Sequence, residues 1–204
     1  MANDSSTGGY LQTTSPPLVE DAALEVILQN LVVGITGFLP TRVRPRWQEV
    51  SPTELEVMDS WCAIGVTDEQ PEEGNVSSTF GDETLRTVER VTINVLASFY
   101  GPDCRAMAQN FRSGIMVPQN REALYFADIS LAEWPGAITF APAFVSERVR
   151  RRADVPFKLR RAITMEWPIK SLVTAVIQTS ALRPGGEVLS NSVVTPSSLD
   201  PLTE

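Results

Sequence analysis

Histidine is absent from this chain of 204 residues, and cysteine occurs only twice, as Cys62 and Cys104. The absence of histidine excludes Ser-His-Asp catalysis, Cys-His catalysis and histidine-ligated zinc sites. Two cysteines cannot form a four-cysteine zinc site, and neither of them belongs to a CxxC motif. We therefore predict two buried free thiols, and we assign no catalytic, metal-binding or cofactor-binding residue.

A long apolar run is also absent, because no stretch of the sequence approaches the roughly 18–20 residues that cross a bilayer. The N-terminal sequence MANDSSTGGYLQTTSPP has neither the basic start nor the apolar segment of a secretory signal. These absences predict a protein made in the cytoplasm, with no membrane partner. Hydrophobic residues make up 43% of the chain and charged residues 21%, which is typical of a globular protein with one sizeable core.

The charges are distributed unevenly along the chain. A formal net charge of −8 argues against general binding of nucleic acid. The basic segment, residues 148–161, nevertheless contains seven basic residues and one acid, so that it carries +6 and the rest of the chain −14. Its basic residues are Arg148, Arg150, Arg151, Arg152, Lys158, Arg160 and Arg161. We predict strands at about 143–152 and 156–167, joined by a hairpin at 153–155.

An acidic stretch with the sequence DEQPEE occupies residues 68–73. Its acids are Asp68, Glu69, Glu72 and Glu73. Its proline, together with the glycine, asparagine and serine that follow, predicts a solvated loop after a strand at 61–66, not a magnesium site.

Apolar periodicity predicts helices and strands between two polar ends. A helix is predicted to start at Ser15-Pro16-Pro17 and to bury apolar residues between positions 24 and 35; a second helical face covers 104–115. Strict alternation over 90–99 predicts the clearest strand. Because few connections are long enough for repeated βαβ crossovers, we predict an α+β fold, with a mainly antiparallel sheet packed against two or more helices.

The composition also predicts how the chain is divided. Small polar residues, glycine and proline dominate both ends. We predict a flexible N-terminal arm over residues 1–16, a single α+β domain over 17–182, and a flexible C-terminal tail without regular structure over 183–204.

Three segments resemble a known family. They are LQNLVVGITGFLPTRVRPRWQ at residues 28–48, SWCAIGVTDEQ at 60–70 and ERVTINVLASFYGPDC at 89–104. Over roughly residues 18–180, the chain is similar to the neck or tail terminators of tailed bacteriophages. In that family an amphipathic helix precedes a VRPRWQ-like strand and a tryptophan-led strand, and a long central strand leads into a second helix.

The resemblance implies a structural, non-enzymatic virion protein of the phage neck or tail. Such a protein forms a ring, expected to be a hexamer, which caps the tail tube and joins it to the head-completion or connector proteins. Genomic DNA passes through the ring without sequence-specific binding. The alternatives are another neck ring (a head-tail connector or a stopper), a nucleic-acid-binding accessory protein, or a small carboxylate-dependent enzyme. The absent histidine and the acidic net charge argue against the last two.

The residues that would form an interface remain a hypothesis. The basic segment has three interpretations: a solvated edge, a contact with the acids of residues 68–73 in a neighbouring subunit, or a contact with passing DNA or an acidic head-side ring. Trp134 lies beside Pro135 and Gly136 in a predicted turn and is the best candidate for an exposed anchor. The other three tryptophans, including Trp47, are predicted to be buried or half-buried.

Overall fold

The computed structural model describes residues 9–18, 20–48, 58–72, 77–81, 83–145, 148–169, 177–182 and 188–194. The helices in these ranges are α1 (Asp21–Thr36), α2 (Cys104–Gly114) and α3 (Glu122–Tyr125), with short 3-10 turns at Pro40–Arg42 and Pro118–Arg121. The strands are β1 (Val43–Pro45), β2 (Trp61–Pro71), β3 (Ser77–Gly81), β4 (Thr84–Tyr100), β5 (Ile129–Glu133), β6 (Thr139–Val145), β7 (Arg148–Pro168), β8 (Ile177–Leu182) and β9 (Val188–Val194).

The main sheet is built around the two longest strands, β4 and β7. They pair antiparallel from Thr84 opposite Pro168 to Tyr100 opposite Arg152. Both β2 and β3 pair with the other edge of β4, while β5 and β6 pair with the other edge of β7. Strand β1 joins β2 in parallel, and β8 pairs with β9 in a second sheet. The predicted α+β class with a mainly antiparallel sheet is therefore confirmed, and the main sheet has a β1 end and a β5/β6 end.

Alternating apolar side chains bury one face of the main sheet. On β4 and β7 these are Val91, Ile93, Val95, Ala97, Phe99, Ala153, Val155, Phe157 and Leu159. Helices α1 and α2 cover this helical face, and the ring of Phe111 packs 5.7 Å from that of Phe99 and 5.6 Å from that of Phe157. Burying one such side chain contributes about 1.5–3 kcal/mol. The opposite, polar face bears the side chains of Asp68, Thr92, Asn94, Ser98, Asp154, Lys158 and Arg160.

The predicted start of the first helix is wrong, whereas Gly37, which as a glycine followed by Pro40 predicts the end of the helix, does end it. Ser15 Oγ accepts a 2.6 Å hydrogen bond from the Glu166 N–H, and the Thr14 N–H donates to the Glu166 carbonyl at 2.9 Å. Because these bonds hold residues 14–15 against β7, the helix begins only at Asp21. At the other end Gly37 adopts φ 73°, where its N–H bonds to the Val33 carbonyl.

The predicted hairpin at residues 153–155 is also wrong, because β7 continues unbroken from Arg148 to Pro168. Ala153 and Val155 are buried on the helical face, while Asp154 points to the polar face and accepts a 2.6 Å hydrogen bond from Ser98 Oγ. An acid in the middle of a strand therefore has a partner and does not interrupt it. The antiparallel neighbour that precedes β7 is β6, and residues 146–147 between them lie outside the described ranges.

Strand β2 is longer than predicted. A register shift lies between Val66 and Asp68, after which the strand continues to Pro71. Asp68 and Glu69 therefore belong to a strand instead of a loop, and Glu72 directly follows it. Glu73 lies outside the described residues.

The prediction that the C-terminal tail lacks regular structure is wrong for β9. This strand, Val188–Val194, falls within 183–204 and pairs with β8. The apolar stretch 172–177 also predicts a strand, and most of it lies outside the described ranges. The proposed domain boundaries remain predictions.

Candidate interface surfaces

Two side chains of the basic segment, Arg160 and Lys158, pair with carboxylates on the polar face within one chain. Arg160 Nε hydrogen-bonds to the carboxylate of Glu72, which also accepts a 3.1 Å bond from Thr92 Oγ1. Lys158 Nζ lies 3.0 Å from Glu133 Oε1 at the edge of the same face. Because both basic side chains are substantially exposed, each pair contributes only about 0–1 kcal/mol.

A third basic side chain, Arg161, lies on the helical face and is only 7% exposed. Its guanidinium pairs with the carboxylate of Glu20, which precedes α1, and lies 3.2 Å from Glu69 Oε2 on β2. These contacts connect the start of α1, β2 and β7. Alternation with Phe157 and Leu159 predicts that Arg161 lies on the apolar side of its strand, as observed, but the sequence gives no sign of these two partners.

The four arginines at the start of β7 have different environments. Arg150 is 5% exposed, whereas Arg151 is exposed on the other side of the strand. Arg152 Nε lies 2.8 Å from Asp154 Oδ1, and this hydrogen bond raises the pKa of Arg152. Arg148 begins the strand, and its side chain is outside the described set. Of the three arginines whose side chains are described, Arg151 is therefore best placed for a contact with another molecule.

A buried polar network ties the segment after β1 to the centre of the sheet. Ser98 Oγ accepts a 2.5 Å hydrogen bond from Arg46 and donates one of 2.6 Å to Asp154. The Arg46 side chain passes close over Gly65, where a Cβ atom would lie 2.8 Å from Arg46 Cβ. Gly65 therefore provides the space that Arg46 needs.

Trp47 follows Arg46 and is held on the surface. Its indole N–H donates a 2.8 Å hydrogen bond to the Val66 carbonyl, yet the residue is 66% exposed. The prediction that Trp47 is buried or half-buried is therefore wrong. With its polar atom satisfied, the ring presents an apolar surface in a fixed position.

Other large apolar side chains are also exposed at both ends of the main sheet. At the β1 end, Leu39 precedes the 3-10 turn that leads into β1, and Met58 precedes Asp59, which pairs with Arg42 of that turn at 2.8 Å. At the β5/β6 end the exposed residues are Tyr125, Phe126, Trp134 and Phe140. The predicted exposure of Trp134 agrees with this position, while its role as an anchor remains a proposal.

A small pocket opens beside β6 on the helical face. We call it the Phe140 pocket; its volume is about 240 Å³, and its lining is formed by Cys104, Arg105, Phe140, Ala141, Pro142, Val149, Arg150, Arg151 and Arg152. Phe140 and Val149 are both exposed there, and the Arg105 guanidinium lies 4.6 Å from the Phe140 ring centroid. The pocket thus combines apolar walls with an arginine-rich rim.

A second, larger concavity lies on the polar face next to Trp134. It measures about 350 Å³ and is lined by Thr67, Asn94, Val95, Leu96, Glu133, Trp134, Gly136, Pro156, Phe157 and Lys158. Trp134 is 63% exposed at its rim, and the Arg121 guanidinium lies 5.9 Å from its ring. This surface offers an aromatic side chain beside charged groups of both signs.

The two cysteines are free and buried, as predicted. Burial raises the pKa of both the Cys62 and the Cys104 thiol, which keeps them protonated. In the part of the chain that the structure describes, no three Cys, Asp or Glu side chains cluster in a way that could hold a metal ion. Nor does any helix of the described residues have the length and apolar character needed to span a membrane.

Comparison with known families identifies the family of this chain. A family model described as Phage neck terminator protein matches residues 22–181. This chain belongs to the phage neck terminator family. The match extends from α1 into β8 and confirms the resemblance to phage neck or tail terminators. The neck terminator is thus a structural protein of the virion neck, a location that implies contact with other head or tail proteins. No curated protein matches the chain.

Proposed function

We propose that this neck terminator closes into a hexameric ring, which caps the tail tube and joins it to the head-completion complex. The observation that carries the proposal is the exposure of large apolar side chains at both ends of the main sheet. A cyclic ring requires two different patches on each subunit, one for each neighbour. Leu39, Trp47 and Met58 at the β1 end, and Phe140 at the β5/β6 end, supply two such patches on opposite sides of one sheet.

The proposed mechanism is binding, without catalysis. One surface of the ring stops the addition of further tube subunits, another accepts the head-side connector, and genomic DNA passes through the channel without sequence-specific contacts. The protein is made in the host cytoplasm and is incorporated into the virion. A hydrogen-bonded sheet suits this binding role, because a preorganised surface loses little conformational entropy when it binds a partner.

The charged residues contribute to the proposed contacts according to their environment. Glu72 and Arg160 already pair within one chain, so the intersubunit contact between the acidic and basic segments depends on the exposed Asp68 and Arg151. Trp134, beside the polar-face concavity, is proposed as the anchor for the tube or the connector, instead of for a neighbouring subunit.

A tube-elongation assay tests this function. Tail-tube protein polymerises with and without the full-length terminator, and tube lengths and ends are recorded by negative-stain electron microscopy. The proposal predicts shorter tubes with one ring at a blunt end. Trp134→Ser should still form rings but should cap fewer tubes. Unchanged tube lengths and bare ends at a large excess of terminator would contradict the capping role.

A further inference from the structure

We propose that Trp47 of one subunit inserts into the Phe140 pocket of a second copy of this chain. The inference rests on the proposed ring and identifies the contact that closes it. Trp47 belongs to the β1 end of the main sheet, whereas the Phe140 pocket belongs to the β5/β6 end. Since the two features lie at opposite ends, one contact can repeat from subunit to subunit around a ring.

Trp47 has the properties of an interface anchor. The hydrogen bond from its indole N–H to Val66 is 2.8 Å long, and the preceding backbone N–H of Arg46 bonds to Ile64 at the same distance. Two bonds to β2 therefore hold an exposed aromatic ring in place before any partner arrives. Binding such a preformed anchor costs little side-chain entropy, and tryptophan is enriched among the residues that dominate binding energy.

The Phe140 pocket offers the complementary surface. Phe140 and Val149 form exposed apolar walls, and their burial by a partner would remove apolar area from water. Arg105 and Arg151, both exposed, belong to its rim. An aromatic ring that enters the pocket meets apolar walls and guanidinium groups, and both interact favourably with indole.

Charge complementarity favours a second copy as the occupant. The strand that holds Trp47 continues from Val66 into Asp68 and Glu69. Both acids are exposed, and Glu69 also pairs with Arg161 of its own chain. Among the described residues that line the Phe140 pocket, the charged ones are all arginines. Insertion of Trp47 would bring the acids of one subunit towards Arg105 and Arg151 of the next. The basic residues that precede Trp47 contact groups of their own chain: Arg42 pairs with Asp59, Arg44 lies over the Trp61 ring, and Arg46 bonds to Ser98. The chain itself thus carries an aromatic anchor with exposed acids nearby and an apolar pocket with a basic rim.

Two matched tryptophan variants of the full-length chain test the contact. Sedimentation velocity measures the dissociation constant between subunits in the absence of tail tubes. Trp47→Ser should weaken subunit association by about 30-fold or more. Trp134→Ser removes an equally exposed tryptophan outside the Phe140 pocket and should change the association constant by less than about 3-fold. Circular dichroism spectra of both variants serve as the control for correct folding.

A charge exchange separates a direct contact from a general loss of structure. Arg151→Glu and Asp68→Arg should each weaken association, and the double variant should recover a large part of the loss. Rings that form equally well with Trp47→Ser, or a double variant no better than the singles, would overturn the contact while leaving the ring intact. A wild-type chain that forms no ring, even on tail tubes, would overturn both the contact and the proposed function.

Discussion

Replacement of Gly65 by alanine is the sharpest test of how the fold positions Trp47. The added Cβ would lie 2.8 Å from Arg46 Cβ, 3.5 Å from the Arg46 backbone nitrogen and 3.6 Å from Trp47 Cδ1. Because the closest atom is attached directly to the backbone, a rotamer change of Arg46 cannot relieve the overlap. The segment from Arg46 to Trp47 must move away from β2.

The magnitude follows from two opposing effects. Overpacking in a closely packed region costs about 1–3 kcal/mol, while the loss of glycine from a strand returns about 0.5–1 kcal/mol through reduced chain entropy. We therefore expect Gly65→Ala to lower the free energy of unfolding by about 1–2 kcal/mol. Urea unfolding should show a midpoint lower by about 0.5–1 M with an unchanged slope. Subunit association should weaken as well, since Trp47 moves with Arg46.

Gly34→Ala provides the matched control. Gly34 lies in α1, and a Cβ at this position would meet no atom within 4 Å. The substitution should stabilise the protein by about 0.5–1 kcal/mol, because alanine is the better helix former. Equal or greater stability of Gly65→Ala relative to the wild type would refute the account of close packing between β2 and Arg46.

Three further predictions concern the core and its buried groups. Ser98→Ala should lower the free energy of unfolding by about 1–3 kcal/mol in urea titrations, because Arg46 and Asp154 each lose a buried hydrogen bond; an unchanged midpoint would contradict this. Phe111→Ala should cost about 3–5 kcal/mol in the same assay, and a loss below about 1 kcal/mol would show that Phe111 is not central to the core. Burial raises the pKa of Cys62 above its ordinary 9.0, so the unfolded chain loses this proton first and stability should fall as pH rises above 9.0; Cys62→Ala should remove part of that fall in thermal melts.

The regular parts of the fold could be predicted because their periodicity reflects a single physical cause. Alternation over 90–99 gives a strand with one face against the helices, and the apolar spacing of 104–115 gives α2 packed on that face. The position of Arg161 among apolar residues also follows from this alternation. Local pattern suffices where burial on one side determines the side-chain type.

The points where helices and strands begin or end were harder to predict, because the residues that decide them have partners distant in sequence. Asp154 has the composition of a turn, but Ser98, which lies 56 positions away, allows it to remain in a strand. Likewise Ser15 Oγ accepts a hydrogen bond from the Glu166 N–H, 151 positions away, instead of capping a helix. No local rule contains this information. The predicted hairpin at 153–155 and the predicted helix start at residues 15–17 are therefore both wrong.

The candidate surface shows the same limit. Sequence composition identifies the basic and acidic segments, but it cannot reveal that Arg160 meets Glu72 within the chain or that Arg150 is buried. As a result, charge reversal at Arg150 would test folding more than assembly. Trp47 is held on the surface by a hydrogen bond from its indole N–H to the Val66 carbonyl. The sequence does not reveal this bond, because it forms only when β1 lies beside β2.

Single-particle electron microscopy of the full-length protein bound to tail-tube ends tests the central claim most directly. The account predicts one closed cyclic ring per tube end, in which the β1 end of each subunit touches the β5/β6 end of the next. Subunits that bind singly, that pair through the same end twice, or that leave the tube ends bare would contradict it.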